Sequence, residues 1–189
     1  ADVTDMVHRR ARVQEGRSVS YNDLLVHAVA RALRDHPRLN ATVQGDAVRV
    51  ETDVNVGVAV ALEEGLIVPV IRNADRKSPV EIAEESRMLA EKARTGNLSV
   101  DEVSGGTFTV SNLGMFGVDV FTPIIDVPQV AILGVGRLRE KPVVYNGSIA
   151  IRHTMILSLS FDHRAIDGAP AAIFLKAVVD NLTAAESDN

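Results

Sequence analysis

The chain has 189 residues, of which 46% are hydrophobic, and it carries a formal net charge of −5. A chain of this length and apolar content can bury one sizeable core, which predicts a single domain. It has two Tyr, five Phe and no Trp, so few rings can stack on bases, and we expect no nucleic-acid partner. The absence of cysteine excludes disulfides and a thiolate nucleophile. No apolar run is long enough for a membrane span, so no membrane partner is expected either.

Capping residues and apolar periodicity predict four helices in this sequence. The helix that begins after Ser78 has the most complete signal, because Pro79 occupies its first position and Glu81 completes a capping box. The last predicted helix is a strongly apolar segment near the end of the chain. The predicted segments are 4–15 with Thr4 as N-cap, Ser20 to Pro37, Ser78 to Gly96, and 167–182 with Asp167 as N-cap.

Apolar runs between turn residues predict the strands. Asn146-Gly147 predicts a hairpin turn, because both residues tolerate a positive φ. Strands joined by such short turns pair as antiparallel neighbours. The whole pattern predicts an α/β fold, in which a two-layer, mixed and mainly antiparallel sheet has helices packed on one face. The predicted strands are a hairpin around Gly45-Asp46, segments 55–62 and 66–71, the run before "SNLGMFG", and runs within "QVAILGVGRL", "KPVVYNGSIAI" and "TMILSLSFD".

His163 follows directly on the apolar strand within "TMILSLSFD". An imidazole titrates near neutrality and can carry a proton in either direction, which makes histidine the usual general base. A lone histidine at such a place is more often a packed or surface residue. The neighbouring charges of Asp162 and Arg164 favour a function, because charge beside a core element needs a reason. His163 is therefore our candidate base.

Asp167 and Ser111 are the other candidate site residues. Asp167 stands four residues after His163 and could orient its imidazole, but the same carboxylate is also expected to cap the last helix. Ser111 lies where a strand enters a turn flanked by Gly114 and Gly117, which lets the backbone come close to a substrate. A turn serine that bonds its own backbone is the alternative. Sequence spacing alone does not say whether Ser111 and His163 meet.

A basic cluster precedes the third predicted helix. Arg72, Arg76 and Lys77 follow a strand and come just before a capped helix start, where an anion can bind. Ordinary solvated charge is the alternative, and both readings stay open. No metal site is predicted, because the other histidines have no metal-ligand spacing; these are His8, His27, His36 and His153.

The segment "SFDHRAIDGAPAAIFL" resembles the Asp-His-Arg-x-x-Asp-Gly signature of the dihydrolipoamide acyltransferases, the core components of 2-oxo acid dehydrogenase complexes. Four more segments resemble the same family in the same order, so the resemblance covers nearly the whole chain. They are "SYNDLLVHAVARAL", "VNVGVAVALEEGLIVPVIRNAD", "GGTFTVSNLGMFGVDVFTPII" and "PQVAILGVGRL". The resemblance implies a chloramphenicol acetyltransferase-like fold, with residues 1–189 forming an acyltransferase catalytic domain.

The resemblance also implies an activity, the transfer of an acyl group between dihydrolipoamide and coenzyme A. His163 would be the general base, Ser111 of a neighbouring subunit would stabilise the oxyanion, and Asp167 would help set the site. Coenzyme A and a lipoyl group on a separate domain would be the substrates, and no metal is needed. Acetyl is the expected acyl group, followed by branched-chain acyl groups. An inactive structural homologue and a chloramphenicol-type O-acetyltransferase are the alternatives. Arg72, Arg76 and Lys77 are the predicted contacts to the coenzyme A phosphates.

The partners implied by the resemblance are further copies of the chain and the other enzymes of such a complex. We expect a homotrimer with active sites between subunits, which can build a larger cubic or icosahedral core. A 2-oxo acid decarboxylase and dihydrolipoamide dehydrogenase, as in a pyruvate dehydrogenase complex, would be reached through other domains. The chain is expected to lack the family's N-terminal arm, lipoyl domain and peripheral-subunit-binding domain. The expected location is the bacterial cytoplasm, or the mitochondrial matrix in a eukaryote.

Overall fold

The computed structural model describes residues 1–13 and 19–184. Within these ranges the helices are α1 (Thr4–Val13), α2 (Tyr21–Asp35), α3 (Pro79–Arg94) and α4 (Gly168–Thr183). The strands are β1 (Ala41–Gln44), β2 (Ala47–Val50), β3 (Val56–Val58), β4 (Val60–Leu62), β5 (Gly65–Ile67), β6 (Val70–Ile71), β7 (Phe108–Asn112), β8 (Ala131–Val135), β9 (Arg139–Tyr145), β10 (Ser148–Thr154) and β11 (Leu157–Phe161). No helix of this described part is long and apolar enough to cross a membrane.

The predicted caps of α2 and α3 are confirmed. The Asp23 backbone N–H donates to the Ser20 hydroxyl at 3.2 Å, and the Ser20 N–H donates to the Asp23 carboxylate at 2.7 Å. Ser78 and Glu81 exchange the same pair of bonds at the start of α3. Each capping box satisfies two backbone donors that a helix start would otherwise leave unpaired.

The start of α1 differs from the prediction. Thr4 is the first helical residue, and its backbone N–H and hydroxyl donate to the Asp2 carboxylate at 3.1 and 2.8 Å. Asp2 therefore provides the side-chain acceptor at the start of the helix, a role that was predicted for Thr4. The predicted end of this helix at residue 15 and most of the predicted polar tail lie outside the described residues.

A five-stranded mixed sheet forms the centre of the fold, in the order β11-β8-β7-β3-β6. The three inner strands β8, β7 and β3 run parallel, whereas the edge strands β11 and β6 are antiparallel to their neighbours. Three separate hairpins, β1–β2, β4–β5 and β9–β10, are antiparallel as well. Antiparallel pairs are therefore in the majority, which confirms the predicted sheet type.

The predicted strands 55–62 and 66–71 are each divided in two. β3 and β6 pair within the central sheet, while β4 and β5 leave it and pair only with each other. A continuous apolar run does not reveal this division, because both halves are strands of similar composition. The predicted turn at Asn146-Gly147 is confirmed, with φ of 49° and 77°; two successive positive φ values are typical of a tight hairpin turn.

The core lies between the helical layer and one face of the central sheet. The register aligns Val56 with Phe108, and Val110 with Leu133, so that these side chains form rows on the same sheet face. Phe108 contacts Phe174 of α4, with ring centroids 5.5 Å apart, and both rings are fully buried. α2 lies at the centre of the helical layer and contacts α1, α3 and α4. This packing leaves the two ends of the strands available for functional side chains.

Candidate active site

Ser111 lies at the carboxyl end of β7, opposite Gly134 of β8. It lines a cavity of about 900 Å³ between the strand ends, the start of α2 and the middle of α3. The Ser111 hydroxyl makes no hydrogen bond to any residue of the described chain. The alternative considered above, a turn serine that bonds its own backbone, is therefore not observed. The hydroxyl is available to donate a hydrogen bond to a bound group.

The turn after Ser111 is held tightly against the exit of β8. The Leu113 N–H donates to the Val135 carbonyl at 3.1 Å, and the Gly114 N–H donates to the Asn112 side chain at 2.8 Å. A Cβ on Gly114 would lie only 2.8 Å from the Cα of Arg137. The close backbone approach predicted for this glycine-rich turn is therefore real, and Gly114 makes it possible.

An ion-pair cluster that the sequence analysis missed supports the same wall of the cavity. The Nε of Arg137 donates to the Asp119 carboxylate at 2.6 Å, and Arg139 donates to its other oxygen at 2.8 Å. The hydrogen bond from Arg137 and the nearby charges hold the pKa of Asp119 below its usual range. A Cβ on Gly136 would lie 1.9 Å from the Asp119 carbonyl oxygen, so the backbones of the two segments also touch at this point. Nothing in the local pattern marks this contact, because 17 or more residues separate its members.

His163 lies in the turn between β11 and α4, where 71% of its side chain is exposed. Its Nδ1 is 3.9 Å from a carboxylate oxygen of Asp167, a separation too long for a hydrogen bond. Asp167 occupies the N-cap position of α4, but its side chain makes no capping hydrogen bond. The prediction that this carboxylate caps the helix is therefore wrong, since the carboxylate stands towards His163 instead. The structure thus brings His163 and Asp167 together.

Asp162 and Arg164, on either side of His163, form a close ion pair. The guanidinium donates from Nε and Nη2 to the two carboxylate oxygens at 3.0 and 2.6 Å. The side chain and the backbone N–H of Arg164 together lower the pKa of Asp162 from 3.8 to about 2. Asp162 and Arg164, the charged residues that favoured a function for this segment, therefore form an ion pair with each other.

A single chain does not bring Ser111 and His163 together. The register aligns Ser111 with Gly134 and Gly134 with Ser158 of β11, which runs in the opposite direction. Phe161 is three residues further along β11, and His163 follows it. With a rise of about 3.3 Å per residue and about 4.8 Å between strands, the Cα atoms of Ser111 and Phe161 are roughly 14 Å apart. The two candidate residues lie at opposite ends of the sheet.

The basic residues before α3 have partners within the chain. Arg72 donates to the carbonyls of Asp101 and Ser104 at 2.7 and 3.1 Å. The remaining pairs are Lys77 with Glu85, and Arg76 with Asp53 at 3.7 Å, where 69% of Arg76 is exposed. Phosphate binding by Arg72, Arg76 and Lys77 stays a prediction.

The start of α3 holds an anionic group of its own. The Glu81 carboxylate accepts hydrogen bonds from the backbone N–H and hydroxyl of Ser78, which hold the pKa of Glu81 below its usual range. A phosphate at this helix start would have to share the position with that carboxylate. In the described ranges of the chain, no three His, Asp or Glu side chains are placed to hold a metal ion.

Comparison with known proteins identifies relatives along the whole chain. The profile of the 2-oxoacid dehydrogenases acyltransferase (catalytic domain) family matches residues 1–187. The acetyltransferase component of the pyruvate dehydrogenase complex of Rickettsia bellii (strain RML369-C) is 42% identical over 93% of this chain. The acetyltransferase component of the acetoin cleaving system of Bacillus subtilis (strain 168) is 45% identical over 89% of it. The matched region spans 42% of each of these two relatives.

Solved structures of similar sequence share the fold. A probable dihydrolipoamide acetyltransferase from Listeria monocytogenes 4b F2365 matches all of this chain and 84% of its own, with a TM-score of 0.93 and 41% identity. The cubic core of a pyruvate dehydrogenase multienzyme complex has a TM-score of 0.89 at 41% identity, covering 97% of this chain and 78% of its own. The Azotobacter vinelandii dihydrolipoamide acetyltransferase, studied for the catalytic roles of a serine, a histidine and an asparagine, has a TM-score of 0.89 at 40% identity with the same coverage.

A more distant structure tests the predicted fold. A chloramphenicol acetyltransferase matches 96% of this chain and 84% of its own with a TM-score of 0.59, at 17% identity. This likeness concerns the fold alone, and it confirms the predicted chloramphenicol acetyltransferase-like architecture. The profile match over residues 1–187 and the relatives above 40% identity point to one group of proteins. The chain belongs to the family of 2-oxoacid dehydrogenases acyltransferases, of which it carries the catalytic domain.

Proposed function

We propose that this chain transfers an acyl group, with acetyl as the preferred one, between dihydrolipoamide and coenzyme A. The observation that carries the proposal is the exposed His163 beside Asp167, held in the turn that contains the family's signature. The names of the relatives, both acetyltransferase components, support acetyl as the acyl group. Because the chain spans 42% of these relatives, its place in a larger enzyme and its partner enzymes are part of the proposal.

His163 acts as a base and then as an acid. An alkyl thiol with a pKa near 8.5 is mostly protonated at neutral pH, so a base must take the proton from the coenzyme A sulfur. The sulfur forms a bond to the carbonyl carbon of the acyl-dihydrolipoamide thioester, and the carbonyl electron pair moves to oxygen. When the carbonyl re-forms, the bond to the lipoyl sulfur breaks and His163 returns its proton to that sulfur. Thiol replaces thiol, and the enzyme is unchanged.

Ser111 stabilises the negative oxygen of the tetrahedral intermediate. Ser111 lines a cavity, and its hydroxyl has no hydrogen-bond partner among the described residues, so it can donate to that oxygen without losing an existing bond. One well-placed donor of this kind contributes about 3–4 kcal/mol to the transition state. Asp167, 3.9 Å from the imidazole, attracts its protonated form and so helps to hold it in place.

The site is completed by a second copy of the chain. Ser111 and His163 lie at opposite ends of one sheet, and by strand geometry the Cα atoms of Ser111 and Phe161, two residues before His163, are already roughly 14 Å apart. Ser111 and His163 of one chain are therefore too far apart to reach one thioester carbonyl. A neighbouring chain that places its Ser111 beside His163 supplies the missing group. We propose a homotrimer, in which every chain gives His163 to one site and Ser111 to the next. The similar multienzyme core supports an assembly of this kind.

Acyl transfer from acetyl-CoA to free dihydrolipoamide, with chloramphenicol as a parallel acceptor, tests the proposal. We expect thioester formation with dihydrolipoamide and little product with chloramphenicol. His163→Ala is expected to lower kcat at least about 10²-fold, the usual scale for loss of a general base. His8→Ala, which removes an exposed histidine of α1, is the control and should be fully active. Normal transfer by His163→Ala, or no transfer by the wild type, would refute the proposal.

Ser111→Ala separates transition-state stabilisation from substrate binding. We expect a lower kcat with little change in KM, because the hydrogen bond forms mainly in the transition state. Ser148→Ala, at an exposed position of β10, is the matched control. A large rise in KM with a normal kcat would instead assign Ser111 to substrate positioning.

A further inference from the structure

Few contacts of its own fix the direction of the His163 side chain. The imidazole is 71% exposed, and its Nδ1 is 3.9 Å from Asp167. The ring of Phe161 is tilted against it, with centroids 5.6 Å apart. None of these contacts is a hydrogen bond that would define one orientation. The direction of the imidazole therefore depends on the backbone of the turn that carries it.

The main chain of Asp162 anchors both ends of this turn. Its N–H donates to the carbonyl of Val130, just before β8, at 2.8 Å. Its carbonyl accepts from the N–H groups of Ala165 and Ile166 at 3.0 and 3.1 Å. Ile166 is 3% exposed and packs in the core. The turn is thus tied to the sheet on one side and to the core on the other.

The side chain of Asp162 then closes a clamp across His163. One carboxylate oxygen accepts the backbone N–H of Arg164 at 2.9 Å and its Nε at 3.0 Å. The other accepts the Arg164 Nη2 at 2.6 Å. The residues before and after His163 are joined by four hydrogen bonds, since the Arg164 Nε also donates to the second oxygen at 3.2 Å. The bonds from Nε and Nη2 form a planar bidentate pair. Such a pair restricts orientation in a way that a single point charge does not.

The exposure of the clamp suggests a role other than stability. Arg164 is 78% exposed, whereas Asp162 is 18% exposed. Ion pairs with so exposed a partner contribute little to folding. We propose that Asp162 and Arg164 are positioning residues, whose clamp sets the backbone of the turn so that the His163 imidazole meets the thiol proton. This inference rests on the proposed function, because it assigns the clamp to the same site.

Arg164→Ala is the main test, since the change removes an exposed side chain and leaves every backbone contact of Asp162 in place. We expect kcat for acyl transfer to fall about tenfold or more, with KM for coenzyme A within about twofold of wild type, because a small misplacement of a catalytic group costs rate rather than binding. Lys176→Ala, which opens the exposed Lys176–Asp180 pair on α4, is the control and should leave kcat unchanged.

A conservative series at Asp162 separates positioning from folding. Asp162→Asn keeps an oxygen for the Arg164 N–H but loses the charged pair, so it should retain more kcat than Asp162→Ala. Equal kcat in wild type, Arg164→Ala and Asp162→Ala would overturn the inference. A raised KM for coenzyme A with normal kcat in Arg164→Ala would also overturn it, because Arg164 would then bind substrate.

Hydrogen exchange of the amides in residues 164–166 gives a readout that does not need activity. These amides donate to oxygens of Asp162. We expect the Arg164 amide to exchange about tenfold faster in Asp162→Ala than in wild type, since its acceptor is removed. If the wild type transferred no acyl group, the proposed function would be refuted. The exchange rate of the Arg164 amide would still show whether the Asp162 carboxylate holds the turn. Unchanged exchange in Asp162→Ala would overturn the clamp.

Discussion

The separation of Ser111 from His163 predicts that two inactive variants restore each other. Ser111→Ala chains keep the base, and His163→Ala chains keep the oxyanion donor. The two residues of one chain lie at opposite ends of the sheet, where strand geometry places Ser111 roughly 14 Å from Phe161, two residues before His163. If a site takes one residue from each of two chains, a junction between the two variants has both groups intact.

The size of the recovery follows from the symmetry of the assembly. In a cyclic trimer each chain gives His163 to one junction and Ser111 to the next. A trimer that contains both variants, in either proportion, has one junction of three in which both groups are wild type. Its kcat per chain should therefore be about one third of the wild-type value, whereas each variant alone is expected to be at least about 10²-fold slower. A mixed dimer would instead give about one half.

The assay uses two affinity tags. The variants are co-expressed with different tags, purified over both matrices in series, and assayed for acetyl transfer to dihydrolipoamide. Each variant carrying both tags, purified in the same way, is the control for residual activity. If the mixed assemblies are no faster than the two parents, both residues belong to a site within one chain, and the argument from sheet register is refuted.

Two further predictions concern stability. The pKa of Asp162 is lowered from 3.8 to about 2, so its carboxylate stabilises the fold above about pH 4 and this contribution is lost as the pH falls through 2. A lowering of this size corresponds to about 2.5 kcal/mol, but the 78% exposure of Arg164 screens the pair, so urea unfolding should show Asp162→Asn about 1 kcal/mol less stable at pH 7. A deficit that persists at pH 2 would contradict this cause. Gly136→Ala should cost about 3 kcal/mol in thermal unfolding, because its Cβ would lie 1.9 Å from the Asp119 carbonyl. Gly147→Ala, with open space around the new Cβ, is the control and should cost about 1 kcal/mol for its φ of 77°; equal losses would contradict the proposed clash.

Helix starts and hairpin turns were predictable because their causes are local. The capping boxes at Ser20 and Ser78 and the turn at Asn146-Gly147 depend on residues within four positions of each other. The absence of a side-chain cap on the last helix was not predictable, although Asp167 occupies the N-cap position. Its carboxylate has two possible partners, and only the arrangement of the turn shows that it stands towards His163.

The sequence by itself determined the family, the sheet type and the identity of His163, Asp167 and Ser111 as candidates. The family follows from the resemblance of motifs along the chain, and the other conclusions need only periodicity and the chemistry of short segments. Tertiary structure alone decided that β3 and β6 stay in the central sheet while β4 and β5 leave it, and that Ser111 and His163 lie at opposite sheet ends. The physical reason is that strand order and direction come from contacts between segments far apart in the chain, and no local pattern records them.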